Sequence, residues 1–383
     1  MRSLLLLGSL FCWIVPGHPC AWDSDTLAAE AKGLPDVVQI ITGRFERNPP
    51  LYYQMRLQRV TQTLKKQPNK FELYDDAGVA CDRLGRGKEA IAWMNRKRGF
   101  LDKRGFNKAT KEHWYRYHAN LGTFLAHEWL RSGANRRNIK PMQEGRDHIK
   151  RAIQINPNAH FGREKYQLEA MQWMLRNPVV KWIDEFPSFF EVGDEDENSA
   201  EAAKGISGLI VLGGGWESID VFHALHNALA SRAAPVAYLA AVRSQELARQ
   251  GKRSLCFGAP TGEALAQLLK PKQFPLMLYE DRYPELQKQY QKLRAEAEEF
   301  HQRRTAYMME RLNAGRHPDT DATFWNEWHD AGPPVIDDVY VEPGVRFIQG
   351  LIALLVALVL LCIGGLYWWI KRRRAAKSAL TAP

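Results

Sequence analysis

The stretch that decides the fold is Phe71 to Asn95, which reads FELYDDAGVACDRLGRGKEAIAWMN. Its apolar residues recur every three or four positions on both sides of a short break at Leu84-Gly85, which is the spacing of two amphipathic helices. The same spacing continues through most of the chain, strand-like alternation is rare, and Gly or Asn-Pro breaks separate the helical stretches. The sequence therefore predicts an all-helical (all-α) fold.

The order of residues in this stretch resembles the tetratricopeptide repeat, a family of antiparallel helical hairpins. The positions that carry the resemblance are Tyr74, Ala77, Gly78, Cys81, Leu84, Gly85, Glu89, Ala90, Ile91 and Met94. Such hairpins stack into a solenoid, and small residues such as Gly78 allow the paired helices to approach closely. The resemblance also implies that Cys81 is packed between the two helices.

Two further copies of the hairpin follow. Tyr115 to Pro157 repeats the pattern around Leu121-Gly122, with an insertion at Ser132 to Gln143 that we interpret as an extended loop between helices. Ser199 to Leu229 is a weaker copy. Residues 36–67 and 234–255 resemble half-repeats. We therefore expect a tetratricopeptide-like helical-hairpin solenoid over residues 22–275, with an unrelated array of helical hairpins as the alternative.

In the tetratricopeptide family the first helix of each repeat lines a concave face that binds peptides or partner proteins. Carried over, the resemblance implies a groove open to solvent and lined by eight residues: Asp75, Val79, Asp82, Arg83, Arg116, Asn120, Thr123 and His127. Members that clamp a C-terminal carboxylate use Lys and Asn on the first repeat's face, where this chain has Asp75 and Val79. Only Asn120 matches, so that ligand is not expected.

The first 21 residues are typical of a secretory signal peptide. Arg2 precedes an apolar stretch from Leu4 to Val15, and Pro19-Cys20-Ala21 resembles a cleavage site. The alternatives are an uncleaved anchor and a lipoprotein cut before Cys20, which is disfavoured because Pro19 stands where that signal takes a small residue. We expect the mature chain to begin near Trp22.

A transmembrane helix is predicted near the other end. Phe347 to Ile370 contains 24 residues and no charge, which is long enough to cross a hydrocarbon core of about 30 Å. Aromatic residues close this run, and a basic tail follows at 371–383. The positive-inside rule places the tail in the cytoplasm and the large domain outside it, as a single-pass type I membrane protein. The short signal and the absence of a disulfide framework favour a bacterial periplasm.

The net charge of +10 is mostly a property of the two ends. Arg2 and five basic residues of the tail account for six of these charges, which leaves +4 for residues 22–346. No concentrated basic face appears, so nucleic-acid binding is not expected. Of the five cysteines, only Cys81 and Cys256 lie in the predicted exported domain, and we expect both to be free buried thiols.

The residues after the repeats predict a long helix. Apolar side chains recur every seven positions between 284 and 313, namely Leu286, Leu293, Phe300 and Tyr307. A helix of this length spans about 45 Å. Because Arg304 interrupts the apolar seam, we expect a capping helix over 276–316 that packs on the array, with a self-pairing coiled coil, and hence a homo-oligomer, as the alternative.

Residues 317–346 are rich in Pro and Asp and contain Phe324, Trp325 and Trp328. They are interpreted as a juxtamembrane linker that holds the domain above the bilayer. The tryptophans are expected either at the membrane surface or packed against the repeat domain.

Several partial motifs do not complete a metal or phosphate site. His127-Glu128 begins the zinc pattern H-E-x-x-H, but Arg131 replaces the second His. His223 and His226 share a helix face without a third ligand nearby, so surface or packing histidines are expected. The glycines of Gly208 to Gly214 lack the Lys and Ser/Thr of a phosphate loop. No metal, cofactor or catalytic residue is therefore expected.

These observations predict a non-catalytic, membrane-anchored adaptor whose extracytoplasmic repeat domain binds a protein or peptide partner. Two alternatives stay open. One is a cell-envelope enzyme whose active site is assembled from scattered residues. The other is a structural spacer that dimerises through the helix at 284–313 and the transmembrane span.

Overall fold

A computed structural model describes residues 23–24, 34–157, 162–180, 186–191, 199–230, 233–271, 283–333, 354–355 and 364. Within these ranges the regular structure is helical, with an isolated bridge between Val179 and Phe257 and no strand, so the predicted all-helical class is confirmed. Nearly all of them belong to one compact unit formed by residues 1–273 and 284–335. A second unit consists of residues 274–283 and 336–383.

The described part of the chain forms twelve α-helices. They are α1 (Val37–Thr42), α2 (Pro50–Lys66), α3 (Phe71–Arg83), α4 (Gly87–Asp102), α5 (Lys111–Arg131), α6 (Lys140–Ile155), α7 (Arg163–Leu175), α8 (Ser199–Gly208), α9 (Ile219–Leu229), α10 (Ala234–Arg249), α11 (Gly262–Leu268) and α12 (Tyr283–Asn313). A π-helical turn (Leu209–Gly213) and a short 3₁₀ helix (Gly215–Glu217) join α8 to α9.

The hairpin predicted from Phe71 to Asn95 is formed by α3 and α4. Gly85 ends α3 in the left-handed conformation, with φ of 76°, which a glycine adopts without steric cost. Gly78 lies where α3 meets two other helices. A Cβ atom there would lie 2.9 Å from Phe124 Cε2 of α5 and 3.0 Å from Met94 Cε of α4. The missing side chain is therefore what lets the three helices pack so closely.

The helices stack in chain order. From α2 onward each helix packs on the next one as far as the pair α10 and α11, and α3 also packs on α5, as expected for consecutive hairpins. At the crossing of α5 and α6, a Cβ atom on Gly122 would lie only 2.7 Å from the Gly145 carbonyl oxygen. The loop between these helices covers residues 132–139, which is shorter than the predicted insertion. Cys81 and Cys256 are free and buried.

The long helix α12 covers the array with its apolar seam. Leu286, Leu293 and Phe300 are each at most 6% exposed. Arg304, which interrupts the seam in the sequence, is also buried, and its Nη1 donates to the Arg47 carbonyl oxygen at 2.7 Å. Because the seam is already covered within one chain, it acts as a capping surface. A self-paired coiled coil would have to expose it.

The predicted linker begins with packed structure rather than a free tether. Phe324 is fully buried and belongs to an apolar cluster with Tyr52 of α2 and with Met308 and Leu312 of α12. His317 stacks on the Tyr52 ring with centroids 4.5 Å apart. Up to residue 333 the prediction of a linker is therefore wrong, because Phe324 and His317 pack against the domain. Residues 334–346 lie outside the described residues.

The predicted ends of the chain are mostly outside the described residues. This applies to the signal peptide at 1–21, to the tail at 371–383, and to the span at 347–370 apart from Leu354, Leu355 and Gly364. Among the residues that the structure does describe, no helix has both the length and the apolar character needed to cross a bilayer.

Gly78 provides a test of the helix packing. Gly78→Leu is expected to lower the free energy of unfolding by about 1–3 kcal/mol, because the larger side chain forces Phe124 and Met94 out of their positions. The matched control is Gly99→Leu in α4, where a Cβ atom would have no neighbour within 4 Å. Thermal melts of the full chain compare the two variants. Equal melting temperatures for both would show that α3 does not cross α4 and α5 at Gly78.

Candidate functional site

Six of the eight residues predicted to line an open groove are buried. The six are Asp75, Val79, Asp82, Asn120, Thr123 and His127, and none of them is more than 5% exposed. The prediction of a solvent-open groove at these positions is wrong. Val79 packs in the apolar core, and the polar side chains of the other five bond to one another and to neighbouring helices. Only Arg83 and Arg116 of the predicted set reach the surface.

A buried ion pair joins the two helices of the first hairpin, and an amide of the next hairpin binds to it. Lys97 Nζ of α4 lies 2.7 and 2.6 Å from the two carboxylate oxygens of Asp75, and Asn120 Nδ2 of α5 donates to Asp75 Oδ1 at 3.1 Å. Lys97 is fully buried and Asp75 is 2% exposed. Two of the predicted groove residues thus belong to a closed polar contact between three helices, and a ligand cannot reach them without separating these helices.

His127 and Asp82 form a second buried polar contact. His127 Nδ1 lies 2.7 Å from Asp82 Oδ2, and Arg131 Nη2 donates to Asp82 Oδ1 at 2.6 Å. Burial lowers the pKa of the His127 imidazole, so the neutral ring with its Nδ1–H directed at Asp82 is the form expected at neutral pH. Thr123 Oγ1, one turn before His127, accepts a hydrogen bond from Gln167 Nε2 at 2.9 Å.

Other parts of the chain cover the remaining edge of the predicted groove. Arg83 Nη2 donates to the Leu212 carbonyl oxygen at 2.8 Å, which links α3 to the π-helical turn. The backbone NH and the hydroxyl of Ser24 both donate to Asp76 Oδ1, at 2.9 and 2.8 Å. Side chains of α3 that would face a partner in an open solenoid are therefore bound by the protein itself.

The two histidines of α9 pack inside the protein. The His223 Nε2 atom lies 3.2 Å from the Phe186 carbonyl oxygen, and His226 Nδ1 lies 2.9 Å from the Ala237 carbonyl oxygen. Both rings are at most 5% exposed. In the part of the chain that the structure describes, no group of three or more His, Cys, Asp or Glu side chains is arranged to hold a metal ion.

A cleft with a volume of about 50 Å³ lies between α5, α7 and α9. Its wall is mostly apolar and is formed by Leu130, Met171, Trp173, Met174, Phe189, Leu209, Val221 and Leu255, with Gln167, Ala170, Gly215, Ser218 and Asp220 completing it. Ala170, Ser218 and Val221 are half-buried, whereas Met171 and Leu209 are buried. The cleft is therefore an opening with an apolar interior, which is the usual character of a ligand site.

Asp220 is the acidic group on this wall. Ser254 Oγ donates to its Oδ1 at 2.6 Å and the Leu255 backbone NH donates to its Oδ2 at 2.9 Å. Asp220 is 5% exposed, and burial raises the pKa of its carboxyl to about 6. Hydrogen bonds from Ser254 and Leu255 lower this pKa and offset part of the effect of burial. Buried carboxylates with raised pKa values occur disproportionately at functional sites.

The sequence contains a signal for Asp220 that lies in none of the metal or phosphate motifs. Ser218 precedes α9, and its hydroxyl caps the helix by accepting a hydrogen bond from the Val221 backbone NH at 3.3 Å. Asp220 is then the one acidic residue in a mostly apolar helical segment, IDVFHALHNAL. A single acidic residue in an apolar helix is expected to be either paired or functional.

Comparisons with protein-family models, with curated proteins and with solved structures give no match for this chain.

Proposed function

We propose that this protein is a non-catalytic adaptor of the tetratricopeptide type. In this proposal a span at 347–370 anchors it in a membrane, and its helical array lies outside the cytoplasm and binds another protein. The observation that carries the proposal is the ordered stack of hairpins from α2 to α11. Stacked hairpins present continuous surfaces that several repeats build together, and such surfaces commonly bind proteins or peptides.

The binding surface is assigned to the cleft rather than to the first two hairpins. The polar side chains of α3 and α5 are engaged with Lys97, Gln167 and the chain's own backbone, so they offer little to a partner. The rim of the cleft offers three half-buried residues on two helices and a connecting turn, namely Ala170, Ser218 and Val221. A partner that lies across this rim can place a side chain into the apolar interior.

Site-specific photocrosslinking tests the proposal in the full chain. A photoreactive phenylalanine analogue replaces Val221 at the rim or, as a control, the exposed Gly99 of α4. The protein is expressed in cells that naturally carry it, and membranes are irradiated. We expect a discrete protein adduct with the label at position 221 and none at position 99. The absence of any adduct at position 221, or identical adducts at both positions, would rule out the adaptor site.

A further inference from the structure

The cleft contains a buried negative charge without a matching positive one. Among the described residues, Asp220 forms no ion pair, and its contacts are a hydroxyl and a backbone NH. Other buried carboxylates of the array do have cations, such as Asp75 with Lys97 and Asp82 with Arg131. A carboxylate can accept up to about four hydrogen bonds, so Asp220 retains acceptor capacity after these two.

The apolar wall determines which cation the cleft can accept. Met171, Met174 and Leu209 line it together with Asp220, so a ligand must bring an apolar portion as well as a charge. A hydrated inorganic ion gains nothing from such a wall. A volume of about 50 Å³ holds a few waters or one slender chain. A compact ammonium group on an aliphatic stem fits this description better than the broader, planar guanidinium of arginine.

We propose that the cleft binds one lysine side chain of the partner protein, with its aliphatic stem against Met171 and Met174 and its ammonium group donating to Asp220. This inference rests on the proposed adaptor function and names the chemistry that its partner presents. The lysine stem buries its methylene groups while its charge is neutralised by the carboxylate. Lysine binding thereby supplies to Asp220 a cation such as Asp75 and Asp82 receive from their own chain.

The probe for this site is n-butylammonium, which has the aliphatic stem and charge of a lysine side chain. Its binding to the purified full chain is followed by the increase in melting temperature with probe concentration. We expect saturable stabilisation by n-butylammonium and little by 1-butanol, which has the same stem without the charge. Asp220→Asn is expected to weaken n-butylammonium binding by roughly tenfold or more, since a charge-assisted contact is lost.

The matched control is Glu217→Gln. Glu217 lies three residues from Asp220, but it is exposed and paired with Lys252. This variant is expected to bind the probe as the parent does. The inference is overturned by equal stabilisation from n-butylammonium and 1-butanol, by no stabilisation from either, or by equal losses in Asp220→Asn and Glu217→Gln.

The two proposals can fail separately. Binding of n-butylammonium needs no partner. If the parent binds it and Asp220→Asn does not, the ammonium site is supported. If no photocrosslink forms at position 221 in the same protein, the adaptor function is rejected. The opposite outcome is a discrete crosslink at position 221 that persists in Asp220→Asn, while the parent does not bind n-butylammonium. This outcome would support the adaptor function and reject the lysine site.

Discussion

Lys97→Met is expected to lower the free energy of unfolding by about 3–5 kcal/mol, the usual cost of removing one partner from a buried ion pair. Lys97 is fully buried, and both Asp75 oxygens lie within 2.7 Å of its Nζ. Methionine fills a similar volume but leaves the Asp75 carboxylate with the Asn120 amide as its one hydrogen-bond donor among the described residues. Urea denaturation of the full chain at neutral pH, followed by far-ultraviolet circular dichroism, measures the loss.

A second substitution separates the charge from the packing. In the double variant Lys97→Met with Asp75→Asn, the buried carboxylate is gone and the acceptor for Asn120 is kept. We expect most of the lost stability to return. Lys88→Met, at an exposed position of the same helix, is expected to change the stability by less than about 0.5 kcal/mol. If Lys97→Met were as mild as Lys88→Met, α3 and α4 would not enclose this ion pair.

The helical class and the first hairpin could be predicted because the information is local. Leu84-Gly85 marks the turn, the apolar periodicity marks α3 and α4, and Gly78 is small where three helices meet. The seven-residue spacing that gave the long helix was equally local. This spacing does not decide whether Leu286, Leu293 and Phe300 pack against the same chain or against another copy, because both arrangements bury the same residues.

The candidate site could not be predicted in the same way. The positions of Asp75 and His127 on first helices are consistent with an open groove, but exposure depends on residues far away in the chain. Leu212 binds Arg83, and Ser24 binds Asp76. The sequence spacing of one repeat contains no information about these contacts. Asp220 was missed for a different reason. It belongs to no motif, and its significance comes from the fact that no described residue forms an ion pair with it.

Asp220→Asn is expected to stabilise the protein at pH 8 by an amount of the order of 1–3 kcal/mol. The ordinary pKa of an aspartate is 3.8, and burial raises that of Asp220 to about 6. The folded chain therefore holds the proton more tightly than the unfolded chain. Stability falls as pH rises from about 4 to about 6, and the full penalty is present above that range. Asparagine removes the charge and can still bond to Ser254 and Leu255.

Thermal or urea unfolding at pH 4 and pH 8 tests this expectation. At pH 4 the Asp220 carboxyl is largely protonated in the folded chain, so parent and variant should differ little, and the gain should appear only at pH 8. Glu217→Gln should show no such pH-dependent gain. If Asp220→Asn were the less stable protein at pH 8, a cation of the chain itself would have to neutralise Asp220, and the cleft would have no charge left to offer a lysine. Asp220→Asn could instead be more stable than the parent at pH 8 and fail to bind n-butylammonium. The Asp220 carboxylate would then destabilise the fold and bind a ligand, as expected for a functional group retained at a cost in stability.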